Sequence, residues 1–257
     1  MDYVPAGMPV FRPWPVACRK RMNWDMSLPR SVEPELLDQM RPDDRQAIRA
    51  RRDLKRLNAV ILQSGIMAPI LAGQWTQGRP RTILDLGAGD GTFMLSVARR
   101  LAPRWPGVTV TLLDRQSIVS QETRDAFAAL RWQVETVAAD VIDYLERIKP
   151  AGVNVITTNL FLHHFERAPL ARLLGLAAQS AQLVVACEPR RNKFALRASR
   201  LLWAIGCNEV SLHDAIVSVR AGFNGKELSA LWPGQAPFDL QEYAARLFTH
   251  CFVARRR

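Results

Sequence analysis

The chain has 257 residues, 48% of them hydrophobic and 23% charged, a composition that excludes intrinsic disorder as its main state. Its formal net charge of +11 suits an anionic partner but says nothing about chemistry. Four cysteines (Cys18, Cys187, Cys207, Cys251) form no Cys-x-x-Cys pair and have no histidine near two of them, so neither a zinc site nor a disulfide framework is expected.

Residues 1–31 carry Pro, Trp and Met without a sustained period and read as an irregular arm. They lack the basic start and apolar run of a secretory leader, so a cytoplasmic location is expected. From Pro34 to about Ala72 the pattern is helical, with Leu36, Leu37 and Met40, then Leu54, Leu57, Ile61 and Leu62, at helical spacing. This predicts a helical lid over 32–78, closed by Gly73 and Gly78-Arg79-Pro80. The most apolar stretch, Ala59 to Ala72, is broken by Gln63, Ser64, Gly65 and Pro69 and predicts a core helix, not a membrane span.

From Arg81 short β-branched runs alternate with helical stretches. Strands are predicted over 82–86, 108–113, 134–138, 153–157 and 183–187, and helices over 93–101, 122–130, 141–148, 170–178 and 194–205. Two closing runs, 238–243 and 247–253, suit an antiparallel pair. Such alternation requires right-handed crossovers between parallel strands. The expected fold is α/β: a doubly wound, mostly parallel seven-stranded sheet over 79–257 with an N-terminal helical extension.

The first strand runs into Asp85-Leu86-Gly87-Ala88-Gly89-Asp90-Gly91-Thr92. Glycine at alternate positions lets the backbone approach a ligand closely, and the next helix points free N–H groups at it. A dinucleotide fingerprint needs a third glycine where Thr92 stands, so that reading fails. Acids flanking the loop suit a cation such as the sulfonium of S-adenosylmethionine. Asp114 closes the second strand, where an acid accepts from ribose hydroxyls; Asp140-Val141 follows the third, where a carboxylate can accept from an adenine amine or cap the next helix.

With Asn159-Leu160-Phe161-Leu162-His163-His164 after the fourth strand, these residues resemble the class I S-adenosylmethionine-dependent methyltransferases, and among them the small-molecule branch that includes the ubiquinone/menaquinone-type enzymes. The resemblance covers about 80–190. A weaker likeness, to a subgroup of bacterial small-molecule methyltransferases, takes in Glu35-Leu36-Leu37-Asp38, Asp53 to Asn58, His213-Asp214 and Ser218-Val219-Arg220. It implies a Rossmann-like methyltransferase fold with S-adenosylmethionine as cofactor. By it Gly87, Ala88, Gly89, Asp90 and Gly91 line the methionine moiety, Asp85 meets its amino group, and Asp114 and Arg115 hold the ribose end. Asp140 and Val141 then hold the adenine, and Asn159 supplies a backbone contact below the methionine.

The expected acceptor is a small organic molecule, phenolic, quinone or polyketide-like, methylated on oxygen or carbon. An oxygen nucleophile needs a base, and His164 and His213 are the catalytic candidates. His163, Glu188, Arg190 and Arg220 are substrate-binding candidates, and apolar Leu201, Leu202, Trp203 and Phe223 suit an aromatic or lipidic acceptor. No metal is expected. The alternatives are a nucleic-acid methyltransferase, which the basic charge suits although the [DN]-P-P-[YFW] signature for exocyclic amines is missing, and a non-catalytic binding protein of the same fold.

Overall fold

The computed structural model describes residues 28–257 except Pro42, Leu62, 149–151, 235–236 and the side chains of 54–61 and 205. The predicted arm over 1–31, with Cys18, therefore lies almost wholly outside the described residues, as do the side chains of Leu54, Leu57, Ile61 and Leu62.

Strands β1 (Thr82–Leu86), β2 (Thr109–Asp114), β3 (Gln133–Ala138), β4 (Val153–Asn159), β5 (Ala181–Pro189), β6 (Phe238–Ala245) and β7 (Thr249–Arg256) form one sheet in the order β3-β2-β1-β4-β5-β7-β6. The first five run parallel, and β7 pairs antiparallel with both β5 and β6. Side chains alternate between the two faces, and both faces of β1 and β5 are covered, which is why these two read as apolar runs, whereas the edge strands β3 and β6 keep exposed polar positions. Ile83, Val110, Val155 and Leu183 join one core cluster with Met94, Val97, Phe127 and Trp132. Leu84, Leu113, Ile156 and Val184 join the other with Leu145, Leu170, Leu174 and Phe252. Connectivity leaves β1 toward β2 and returns to β4 on its other side, so the chain order reverses at the carboxyl ends of β1 and β4. Ligands bind at that crevice in open α/β sheets.

The sheet is flanked by α4 (Thr92–Leu101), α5 (Gln121–Ala129), α6 (Val141–Arg147) and α7 (Arg167–Ser180). Before it stand α1 (Leu36–Gln39), α2 (Arg45–Ile61) and α3 (Gln63–Gln74). Helix α3 belongs to the main core, since Ile66, Met67, Ala68 and Leu71 pack with Met94 and Val97, while Pro69 faces outward. The segment free to cover the sheet edge is thus 28–53, shorter than the predicted lid.

That segment is held as a strap. Arg30 donates to the carbonyls of Ala221 (2.7 Å), His163 (3.1 Å) and Phe165 (2.9 Å) and lies 4.8 Å above the Phe223 ring. The buried Asp214 carboxylate accepts from Leu36 N–H at 2.8 Å and Leu37 N–H at 3.0 Å, so α1 is capped from another helix. Asp53 of α2 accepts from Asn208 N–H and the Ser211 hydroxyl.

After β5 the predicted helix over 194–205 is broken: α8 (Lys193–Ser199) is followed by a 3-10 turn, Leu202–Ile205, ending at Gly206 with φ 82°. Residues 209–221, where no element is predicted, form α9 (Glu209–Ala221), capped by Asn208. Its Val210, Ile216, Val217 and Val219 weaken the intrinsic helical preference, and burial of Val210, Val217 and Ala221 overrides it.

Candidate active site

β1 delivers Asp85 and then turns through Gly87 (φ 67°), Gly89 (φ 56°) and Gly91 (φ 75°). The three do different work. A Cβ on Gly87 would lie 2.2 Å from the Phe161 ring, and one on Gly91 2.7 Å from Leu112, so these two let the loop close onto neighbours. A Cβ on Gly89 would meet nothing within 4 Å: this glycine faces open space. Gly91 N-caps α4, and its carbonyl accepts from Leu95 N–H at 2.9 Å.

That space is a cavity of about 350 Å³, the scale of a small-molecule site. The structure brings Asp85, Gly87, Ala88, Gly89, Asp90, Asp114, Arg115, Asn159, His163 and His164 onto its wall. Asp85 is 2% exposed and accepts from the Thr157 hydroxyl at 2.7 Å. Burial pushes its carboxyl up to about 7, against that hydrogen bond, and the charge of Asp114 adds to the rise. No ion pair to Asp85 appears among the described residues. Asn159 Oδ1 is buried with no hydrogen-bond partner. Asp114 accepts from Gly89 N–H at 2.8 Å and Gln116 N–H at 2.9 Å, one on each oxygen, leaving further lone pairs on both.

These are acceptors with lone pairs to spare and no cation beside them among the described residues, except Arg115 at the rim, set around a concave wall. They fit a ligand bearing an ammonium, a sulfonium and ribose hydroxyls, and they would repel a pyrophosphate.

On the facing wall the strap meets the loop after β4. Leu160 there holds a left-handed backbone (φ 53°), uncommon for a branched side chain and the kind of strain that gathers at sites. The loop is organised by Glu188, which is fully buried and accepts from Phe161 N–H (3.1 Å), Leu162 N–H (2.9 Å) and the Thr158 hydroxyl (3.3 Å). His163 lies between two carboxylates, its Nδ1 2.8 Å from Glu188 Oε2 and its Nε2 3.2 Å from Glu35 Oε1. Burial lowers the affinity of His163 for a proton, but the two glutamates win and raise it to about 9. Burial likewise opposes the Glu35 charge, and His163 nevertheless holds that carboxyl at about 2. The Ser218 hydroxyl also donates to Glu35. An imidazolium thus pins the strap to the sheet.

His164, next to it with ring centroids 4.3 Å apart, turns Nδ1 toward Asp38 Oδ2 at 3.3 Å. Burial, and then the charge of His163, push its pKa below the ordinary value, so it is neutral at pH 7.

Other expected residues lie elsewhere. Asp140 caps α6, accepting from Ile142 N–H at 2.8 Å, and pairs with Arg115 at 2.6 Å; neither it nor the buried Val141 lines the cavity. Glu188 is enclosed by the loop it organises and does not line the cavity. His213 stands half-exposed on α9, its Nδ1 3.1 Å from Asp214, also off the cavity wall. The Arg190 backbone bonds to Phe248 and bridges to Phe223, and Arg220 pairs loosely with Glu33 at 3.8 Å. Phe223 is core, while Leu201 and Trp203 are exposed and do not line the cavity. A larger hollow of about 580 Å³ between Arg30, Arg191, Phe223 and Glu227 offers no comparable acceptor set, since Arg191 is already paired with Glu227.

Sequence reasoning did not place Leu37, Asp38, Phe93, Arg51, Gln116, Ile118 or Phe165 on this wall. Arg51 of α2 reaches it by donating to Gln116 Oε1 at 3.1 Å. Glu35 and His163 are 128 residues apart, and nothing local in either stretch announces the other.

Residues 83–182 match the family described as "Methyltransferase domain". Two mycobacterial proteins, uncharacterized methyltransferase Rv0089 of Mycobacterium tuberculosis and Mb0092 of Mycobacterium bovis, are each 36% identical over 105 residues, covering 40% of this chain and 48% of theirs. The chain therefore spans about half the length of these curated relatives. Among solved structures, a putative O-methyltransferase from Nostoc punctiforme superposes with a TM-score of 0.55 at 15% identity, over 88% of this chain and 64% of its own. The mitomycin 7-O-methyltransferase MmcR gives 0.55 at 20% identity, over 85% and 60%. At such identities the structures speak for the fold, and the family match speaks for the domain. Over residues 83–182 the chain is therefore similar to methyltransferase domains, on a fold that solved O-methyltransferases share.

Proposed function

We propose that this protein transfers a methyl group from S-adenosylmethionine to an oxygen of a small, flat, largely apolar acceptor. The observation that carries the reading is Asp85, a buried carboxyl on the cavity wall with no cation beside it among the described residues. Asp85 and Asn159 would hold the amino-acid end of the cofactor, Asp114 the ribose, and Phe93 and Ile118 the faces of the purine. When bound, the cofactor supplies a methyl carbon on a positively charged sulfur, open to in-line displacement.

The chain's contribution is alignment, exclusion of water and removal of one proton. Phe161, Phe165, Leu160 and Leu37 make the acceptor's end of the cavity apolar and suit an aromatic ring. With Nδ1–H turned to Asp38, His164 presents Nε2 as the proton acceptor. His163 keeps its neighbour neutral and ready, and with Glu35 holds the strap that carries Asp38 into place.

The test is turnover of labelled methyl onto a panel of phenols and enols. His164→Gln should lose on the order of 10²–10⁴ in kcat with cofactor affinity unchanged. Unchanged turnover in that variant would remove His164 from the chemistry.

A further inference from the structure

Between Glu188 and Glu209 the chain carries Arg190, Arg191, Lys193, Arg197 and Arg200 and not one acid. Arg191 is turned inward to Glu227, but α8 and the turn after it face outward. Phe194 is 56% exposed, Leu201 61% and Trp203 65%, with exposed Arg197 and Arg200 among them. Positions 194 and 197 share one stripe of α8 at helical spacing, and Leu201 and Trp203 follow in the turn after it. The β6–β7 turn extends this face. Phe194 stacks on Phe248 with centroids 5.7 Å apart, the Asn192 side chain donates to the Leu247 carbonyl at 3.3 Å, and Leu247 is 58% exposed beside exposed Arg246. Phe194, Leu201, Trp203 and Leu247 are four of the eight large hydrophobic side chains exposed among the described residues. None belongs to either core cluster.

We propose that this face docks the protein on an anionic lipid surface. Trp, Phe and Leu interleaved with arginines are what an interface of acyl chains and charged headgroups takes, the apolar groups entering and the guanidinium groups staying at headgroup level. A nucleic acid would use the cations and aromatic rings but gives exposed Leu201 and Leu247 nothing to bury against. A second copy is disfavoured, because two faces that are basic and free of acid repel one another. The location adds meaning: α8 follows the carboxyl end of β5, the same sheet edge as the glycine loop, so a docked protein would open its cavity beside a membrane that can supply an apolar acceptor.

The test needs neither methyl donor nor acceptor and so stands apart from the catalytic reading. Full-length protein is sedimented with vesicles of phosphatidylcholine alone and with vesicles containing about one-third phosphatidylserine. Partition should be at least about tenfold higher on the anionic vesicles and should fall as salt rises. Leu201→Ser with Trp203→Ser, and separately Arg197→Ala with Arg200→Ala, should each weaken it about tenfold with an unchanged circular dichroism spectrum and melting temperature. No sedimentation with anionic vesicles, or sedimentation that neither double variant weakens, overturns the proposal. So does a dimer broken by the Leu201/Trp203 pair, or RNA retained in a gel by a protein that ignores vesicles.

Discussion

Replacing His163 by Gln removes the cation that lies between Glu35 and Glu188, and the consequence can be worked out in size and in pH. Removing one partner of a buried ion pair costs about 3–5 kcal/mol, because the remaining charges stay enclosed without compensation. Here two carboxylates, at 9% and 0% exposure, lose their shared cation and keep only their hydrogen-bond donors. For a chain of this size that lowers the melting temperature by roughly 10 °C. In the wild type, His163 rises from 6.5 to about 9 on folding, worth roughly 3 kcal/mol. That contribution is complete below pH 6.5 and is lost as pH climbs through 9. The lowered Glu35 carboxyl acts oppositely: its contribution is present above pH 4.5 and disappears as pH falls through 2. The two shifts are one interaction seen from both ends and are not added. The network is thus at full strength between about pH 4.5 and 6.5. Urea unfolding of wild type and His163→Gln at pH 6, 8 and 10 should show a gap of about 3–5 kcal/mol at pH 6 that narrows by roughly 3 by pH 10. A gap that stays constant with pH would mean that His163 is neutral in the fold, and the imidazolium clamp would be wrong.

The remaining expectations concern the cofactor wall. Asp140→Ala removes a helix cap and the pair to Arg115 and should cost about 0.5–2 kcal/mol in unfolding. It should leave cofactor affinity within about twofold on titration calorimetry; about a tenfold loss would restore Asp140 to the adenine pocket. Gly87→Ala pushes a Cβ into the Phe161 ring on a left-handed backbone and should abolish cofactor binding, whereas Gly89→Ala, with space around it, should keep a folded loop and lose only part of the affinity. Equal binding by the two alanine variants would contradict the division of labour in the loop.

The sheet was legible because its determinants are local. Buried strands such as Thr82–Leu86 announce themselves as short apolar runs, and the Asp85–Gly91 turn carries its chemistry in consecutive residues. Asp140 shows where such reading stops: an acid after a strand is equally a ribose or base acceptor and a helix cap, and in the fold this one caps α6 and pairs with Arg115. Helix α9 was hidden by its β-branched residues, since its stability comes from packing and not from propensity. The Glu35–His163–Glu188 clamp was hidden because it joins residues 25 and 128 positions apart, and its histidine therefore looked like a substrate ligand. Glu188 misled in the same way: a glutamate at the ligand-facing edge faces inward here, because three backbone N–H groups of a strained loop need an acceptor.

A buried carboxyl at the end of β1 is expected to receive the positive end of S-adenosylmethionine, and cofactor affinity measured against pH reads out that pairing. With the free Asp85 carboxyl near 7, a ligand that requires it ionised should gain about tenfold in affinity between pH 5.5 and 7. Asp85→Asn should bind weakly at every pH and show no such slope. A wild type whose affinity is flat over that interval, or an Asp85→Asn protein that binds as tightly as the wild type, would contradict the account.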